Sequence, residues 1–128
     1  MSVAESLKPK RAWWKEACVY QIYPASFKDS SGDGIGDIPG ILSKVDYIKK
    51  IGVDAVWLCP AYKSPQVDMG YDVADYKQID ERYGTVADVE ELVKQLHSRG
   101  IKFLMDLVVN HTSDQVRKTD SSHQVPLN

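Results

Sequence analysis

The chain has 128 residues, 43% of them hydrophobic and 27% charged, with a formal net charge of -2 at pH 7. That length allows one small domain with a modest core, and the composition is that of a globular chain rather than a disordered one. The charge balance leaves no basic stripe for nucleic acid, and no apolar run is long enough to span a membrane. Cys18 and Cys59 are too few for a disulfide framework, so both read as buried thiols in an intracellular, cytoplasmic setting.

Residues 1–12, with their short KPKR cluster, read as a solvated, disordered leader. Val19–Tyr23, VYQIY, is β-branched and aromatic and stops at Pro24, which predicts a strand. A turn-rich loop over Lys28–Asp37 leads into a helix. Asp37 can cap it, Pro39 is tolerated in its first turn, and Ile41, Leu42, Val45 and Ile48 share one face. Asp46 and Lys50 stand at pairing distance outside it, and Gly52 closes it.

Val53–Leu58 predicts a second strand, ended by Cys59-Pro60. A long loop with several tyrosines then runs to Gly84. Thr85 and Asp88 have capping-box spacing, with Val89, Leu92, Val93 and Leu96 directed inward and Gly100 as the stop. The run Ile101–Thr112, IKFLMDLVVNHT, follows at once. It reads as a strand buried on both faces that emerges at Asn110, His111 and Thr112.

The order β-α-β-α-β implies right-handed parallel crossovers. A dinucleotide-binding sheet would want G-x-G-x-x-G after the first strand, where this chain has an acidic loop. The fold class is therefore α/β, the N-terminal portion of a TIM (β/α)8 barrel. A whole barrel takes about 250 residues, so about three of the eight βα units are expected here.

Three stretches carry candidate chemistry. Asp29, Ser31, Asp33, the carbonyl of Ile35, and Asp37 place oxygen at alternate positions around Gly34, a pattern suited to Ca2+ or Mg2+. An EF-hand is excluded because its twelfth position is Gly40 and a strand precedes the loop. The competing reading is an acidic turn with a helix cap at Asp37, but three crowded carboxylates favour a cation. In Gln66–Tyr76, QVDMGYDVADY, Asp68 and Tyr71 suit sugar hydroxyls and sugar faces. The alternative is a polar surface loop in which Tyr76 packs on the core. At the third strand's end, Asp106 needs a partner for its carboxylate. Alternation puts Asp106 and Asn110 on one side and turns His111 to the other. His111 is a ligand candidate, and neither His97 nor His123 has zinc-ligand spacing to it.

Asp106–His111, DLVVNH, resembles the first signature of the α-amylase family of glycoside hydrolases. WWKEACVYQIYPASFKDSSGDGIGDIPGI, VDAVWLCPAYKSP and DMGYDVADY resemble its maltase, isomaltase and oligo-1,6-glucosidase branch. The resemblance spans residues 13–115, which form the barrel part of the chain. It implies retaining hydrolysis of α-glucosidic bonds in maltose- or isomaltose-type oligosaccharides by a carboxylate pair. It also implies that Asp68, Tyr71 and His111 hold the glucose, that Asp106 supports the site from beneath, and that the loop Asp29–Asp37 carries calcium. Ser31 stands where the family usually has Asn.

The family's nucleophilic Asp, acid/base Glu and transition-state-stabilising Asp match nothing in this chain, so no catalytic residue is assigned. Residues 116–128, VRKTDSSHQVPLN from Val116 on, depart from the family's continuation and read as a divergent tail arising from a shifted frame, a retained intron or an alternative transcript. The chain by itself is expected to be inactive. The alternative is a non-catalytic fragment that binds calcium, sugar or a partner, with open sheet edges inviting self-association.

Overall fold

The computed structural model describes residues 12–116. The expected leader and tail fall outside the described residues except for Ala12 and Val116. A 3-10 turn at Trp13–Lys15 precedes β1 (Val19–Ile22), then α1 (Pro24–Phe27), α2 (Ile38–Leu42) and α3 (Val45–Ile51). Next come β2 (Ala55–Leu58), β3 (Tyr62–Lys63), β4 (Asp75–Ile79), α4 (Val86–Ser98) and β5 (Lys102–Met105).

The strands β1, β2 and β5 form a parallel sheet in that order, with Val19 opposite Ala55 and Ala55 opposite Lys102. This is the expected α/β architecture. One face carries Tyr20, Ile22, Val56, Leu58, Phe103 and Met105 and packs beneath the helices. Ile38, Ile41, Val45, Ile48, Leu92 and Leu96 close over it as one buried cluster. The other face carries Val19, Gln21, Ala55, Trp57 and Leu104; Ala55 is buried and Trp57 half-buried there, but Val19, Gln21 and Leu104 are exposed, so β5 is not buried on both faces as its composition suggests. Leu104 is 41% exposed, and beyond the strand Leu107 and Val109 are 69% and 74% exposed. An apolar run needs a second layer to be buried, and the described residues supply only one.

Local chemistry explains most element ends. The Thr85–Asp88 capping box forms, with Asp88 N–H donating to Thr85 Oγ1 at 3.2 Å and Thr85 N–H to Asp88 Oδ2 at 2.8 Å. Gly52 ends α3 in the left-handed region at φ 85. The helix expected after Asp37 breaks between α2 and α3, where the Ser43 hydroxyl donates to the Gly40 carbonyl at 2.6 Å. Asp46 reaches Arg99 at 2.8 Å rather than Lys50, because the end of α4 lies alongside α3.

Two further expectations change. Cys59 is buried but Cys18 is exposed, since it lies before β1 at the sheet's amino end. The long loop after β2 folds on itself as an antiparallel ribbon, β3 against β4, with an irregularity between Tyr62 and Lys63. Its strand DYKQI does not alternate cleanly, so no period of two marks it. Among the described residues, no helix is long and apolar enough to cross a membrane.

A candidate sugar-binding edge

The ladder continues past the strands at their carboxyl ends. Cys59 N–H donates to the Ile22 carbonyl at 2.9 Å and Asp106 N–H to the Leu58 carbonyl at 3.1 Å. Both residues therefore emerge on the second face, where Cys59 is itself buried, beside Gln21, whose Nε2 donates to Cys59 Sγ at 3.1 Å. Burial pushes the Cys59 thiol above its ordinary pKa, against that hydrogen bond. Gln21 and Cys59 carry no motif signal, and only the parallel register brings them here.

Tyr71 reaches this edge from the β3–β4 connection. Its hydroxyl donates to Asp106 Oδ2 at 3.0 Å, giving the carboxylate the partner its position demands. Burial first, then hydrogen bonding with Tyr23 and to Asp106, raises the Tyr71 phenol far above its ordinary value, so it stays a donor at neutral pH. His111 Nε2 lies 3.0 Å from the Tyr71 carbonyl oxygen. A carbonyl only accepts, so that nitrogen carries the proton.

Asp106 and His111 thus converge on one residue instead of turning to opposite sides. Strand alternation ends at Met105, and the irregular segment beyond it buries Val108. Asn110 remains exposed at the surface.

The loop bearing Asp68 and Tyr71 is fastened by Asp72, which the sequence reading missed. Its carboxylate accepts from Ser64 Oγ at 2.7 Å, Val67 N–H at 2.8 Å and Asp68 N–H at 3.2 Å. Burial opposes the Asp72 charge, but these hydrogen bonds outweigh it and lower the pKa. Its amide donors lie four and five residues before it, a local side-chain-to-backbone turn that Asp side chains favour. The same loop holds Gln66 and Met69 at φ 61 and 51, conformations that cost non-glycine residues about 1 kcal/mol or more. Gly70 at φ 99 packs so close to Pro60 that a Cβ would stand 3.0 Å from its carbonyl oxygen. Asp68 is left exposed, its carbonyl accepting from Tyr71 N–H at 2.9 Å.

The acidic loop lies apart from this cluster. Asp29 accepts from the Gly32 and Gly34 amides at 2.6 and 2.8 Å, and Asp33 from Ile35 N–H at 2.8 Å. Asp37 is buried and accepts from Gly40 N–H at 2.6 Å and from the Ser30 hydroxyl at 2.8 Å. Asp29 is held below its usual pKa chiefly by the Gly34 and Gly32 amides. At Asp37, burial is outweighed by hydrogen bonds from Ser30 and Gly40. The donor set suits a hard cation. Its arrangement is that of carboxylates already stabilised by amides, and among the described residues no three Asp, Glu, His or Cys side chains group to hold an ion.

A parallel sheet with a phenol, a carboxylate and an imidazole gathered at its carboxyl edge defines an α/β protein with the edge such folds use for ligands. The sequence pattern of the family described as alpha amylase, catalytic domain, matches residues 21–127, and this chain belongs to that family. The match runs on through residues assigned above to a divergent tail.

The alpha-glucosidase of Schizosaccharomyces pombe is 64% identical over 115 residues, 90% of this chain and 20% of that protein. The oligo-1,6-glucosidase of Parageobacillus thermoglucosidasius is 62% identical over 106 residues, 83% of this chain and 19% of that protein. Among solved structures, the trehalose-6-phosphate hydrolase of Bacillus licheniformis superposes with a TM-score of 0.81 at 61% identity, covering 84% of this chain and 19% of that one. The chain spans about a fifth of the length of these relatives.

Proposed function

We propose that the described residues are the first three βα units of a (β/α)8 α-glucosidase catalytic barrel, and that their carboxyl edge receives a terminal glucose. The observation that carries this reading is the convergence of Asp106 and His111 on Tyr71. Tyr71 offers a ring face for stacking, His111 offers a polarised imidazole, and Asp68 offers a carboxylate able to accept a pair of sugar hydroxyls. Asp106 holds the Tyr71 hydroxyl and so orients that ring. The reaction served is hydrolysis, with retention, of α-glucosidic bonds in maltose- or isomaltose-type oligosaccharides. It needs a nucleophile and a general acid on either side of the bond. By the family resemblance, neither carboxylate of that pair has a counterpart in these 128 residues.

The chain alone therefore binds glucose weakly and does not turn over substrate. Purified chain is expected to release no more chromophore from an aryl α-glucoside than its Asp68→Ala variant. Glucose binding, followed by chemical-shift titration, weakens about tenfold in Asp68→Ala or His111→Ala, the scale of one charge-assisted hydrogen bond. Turnover above the Asp68→Ala level would overturn the reading, and so would glucose affinity indifferent to both substitutions.

A second reading, a non-catalytic module that binds calcium, sugar or a partner, draws on the acidic loop. There Asp29, Ser31, Asp33, the Ile35 carbonyl and Asp37 would hold a structural Ca2+, which screens like charges that the amides only partly offset. The uncovered sheet face favours association with another copy. The free thiols of Cys18 and Cys59 suit a reducing, cytoplasmic setting.

A further inference from the structure

Tyr76 lies on β4, in the antiparallel ribbon, yet its hydroxyl reaches the segment that carries His111. Its oxygen is 2.6 Å from the Val108 carbonyl and 3.2 Å from the His111 carbonyl. The single O–H donates to Val108 and is shared with His111, and the shorter distance lies at the strong end of the neutral range. At its other end the ring packs against Tyr62 of β3, with centroids 5.7 Å apart.

The backbone between β5 and Ser113 has few other anchors. The parallel ladder gives its last bond at Asp106 N–H, and among the described residues the next backbone bond from this segment is Ser113 N–H to the Val73 carbonyl at 3.0 Å. Between those points His111 is exposed, and its imidazole must find the Tyr71 carbonyl. A hydroxyl fixed to β4 that grips two carbonyls of this stretch sets the direction in which the His111 side chain leaves the backbone.

We propose that Tyr76 is a positioning residue for the sugar edge: it holds Val108–His111 so that the His111 imidazole meets Tyr71 and faces the bound glucose. This rests on the glucose reading above. The ribbon is then more than a connection, since the turn it presses on carries one of the three sugar contacts.

The test uses the whole 128-residue chain, labelled with 15N, as wild type, Tyr76→Phe and Tyr62→Leu. Phenylalanine keeps the ring contact and removes only the hydroxyl, whereas Tyr62→Leu removes the ring contact and keeps the hydroxyl. Tyr76→Phe is expected to move the His111 imidazole 15N resonances and to weaken glucose binding about three- to tenfold, with a loss of no more than a few degrees in melting temperature. Tyr62→Leu is expected to lower the melting temperature more than it moves those resonances.

Imidazole resonances unchanged in Tyr76→Phe would overturn the proposal, as would moved resonances with unchanged glucose affinity. If the wild-type chain bound no glucose, the sugar reading would fail by itself. The imidazole signal would still decide whether Tyr76 places His111.

Discussion

The two faces of the parallel sheet are built from the same kinds of residue and meet opposite fates. Tyr20, Ile22, Val56, Leu58, Phe103 and Met105 sit under helices, with Val56 and Leu58 fully buried. Val19, Gln21 and Leu104, one residue out of phase with them, lie exposed on the other face, where Ala55 is buried and Trp57 half-buried. The difference is one of layers, not of strand chemistry. The helices that cover the first face belong to the crossovers between these strands and lie inside the described residues. Whatever covers the second lies outside the described residues.

The largest expected effect tests that contrast directly. Leu58→Ala empties a fully enclosed site and should cost about 2–5 kcal/mol. Leu104→Ala, on the open face of the edge strand, should cost about 0.5 kcal/mol or less. Urea denaturation of both variants at two protein concentrations measures the ratio. A Leu104→Ala cost approaching that of Leu58→Ala, growing with concentration, would mean that a second copy covers the open face. The comparison would then describe a monomer that does not persist in solution.

The same layer argument marks how much could be read from the sequence. Strand order, the two caps at Asp37 and Thr85, and the stops at Gly52 and Gly100 depend on neighbouring residues and are legible. The exposure of Leu104 is not, because a strand awaiting its second layer has the same composition as one already covered. Of the cluster at the sheet's carboxyl edge, Tyr71, Asp106 and His111 are singled out by the resemblance. Their arrangement around the Tyr71 hydroxyl and carbonyl depends on a separation of 35 and 40 residues that no local pattern encodes. Gln21, Cys59 and Asp72 were missed for two reasons. The first two meet only through register, and Asp72 acts on backbone amides, which every residue but proline has.

A polar version of the contrast gives the middle-sized effect. Asp80 is buried and fully engaged, accepting from Arg82 Nε at 2.8 Å, Arg82 Nη2 at 2.9 Å and Ser64 N–H at 3.1 Å. Burial works against its charge, but the Arg82 hydrogen bonds prevail and hold its pKa below the usual carboxylate range. A depressed folded-state pKa stabilises the fold above the unfolded value of about 3.9, and that stabilisation drains as pH falls through the folded value. Asp80→Asn should therefore cost about 1–3 kcal/mol near neutrality and flatten the acid limb of the stability curve below about pH 5. Thermal melts from pH 7 to pH 3 measure both. An acid limb as steep in Asp80→Asn as in wild type would shift the acid sensitivity to Asp29, Asp37 and Asp72, whose pKa values are lowered in the same direction.

The smallest effect concerns the acidic loop, the one region that is closed by its own backbone and also proposed to take a cation. Because amides already hold Asp29, Asp33 and Asp37, calcium should add to the loop's stability rather than create it. At calcium tenfold above its dissociation constant, linkage gives about 1.4 kcal/mol, a rise of several degrees in melting temperature for a domain of this size. Asp33→Asn separates cation binding from loop structure. Asp33 is exposed, and among the described residues its carboxylate accepts from Ile35 N–H, a bond that the asparagine oxygen can replace. The calcium-free melting temperature should stay put in Asp33→Asn while the calcium-induced rise disappears. Asp37→Asn should lower the calcium-free value, because both of its buried oxygens are engaged with Ser30 and Gly40. A wild-type melting temperature unmoved by millimolar calcium would leave the loop as a helix cap and amide-stabilised turn, closed without an ion.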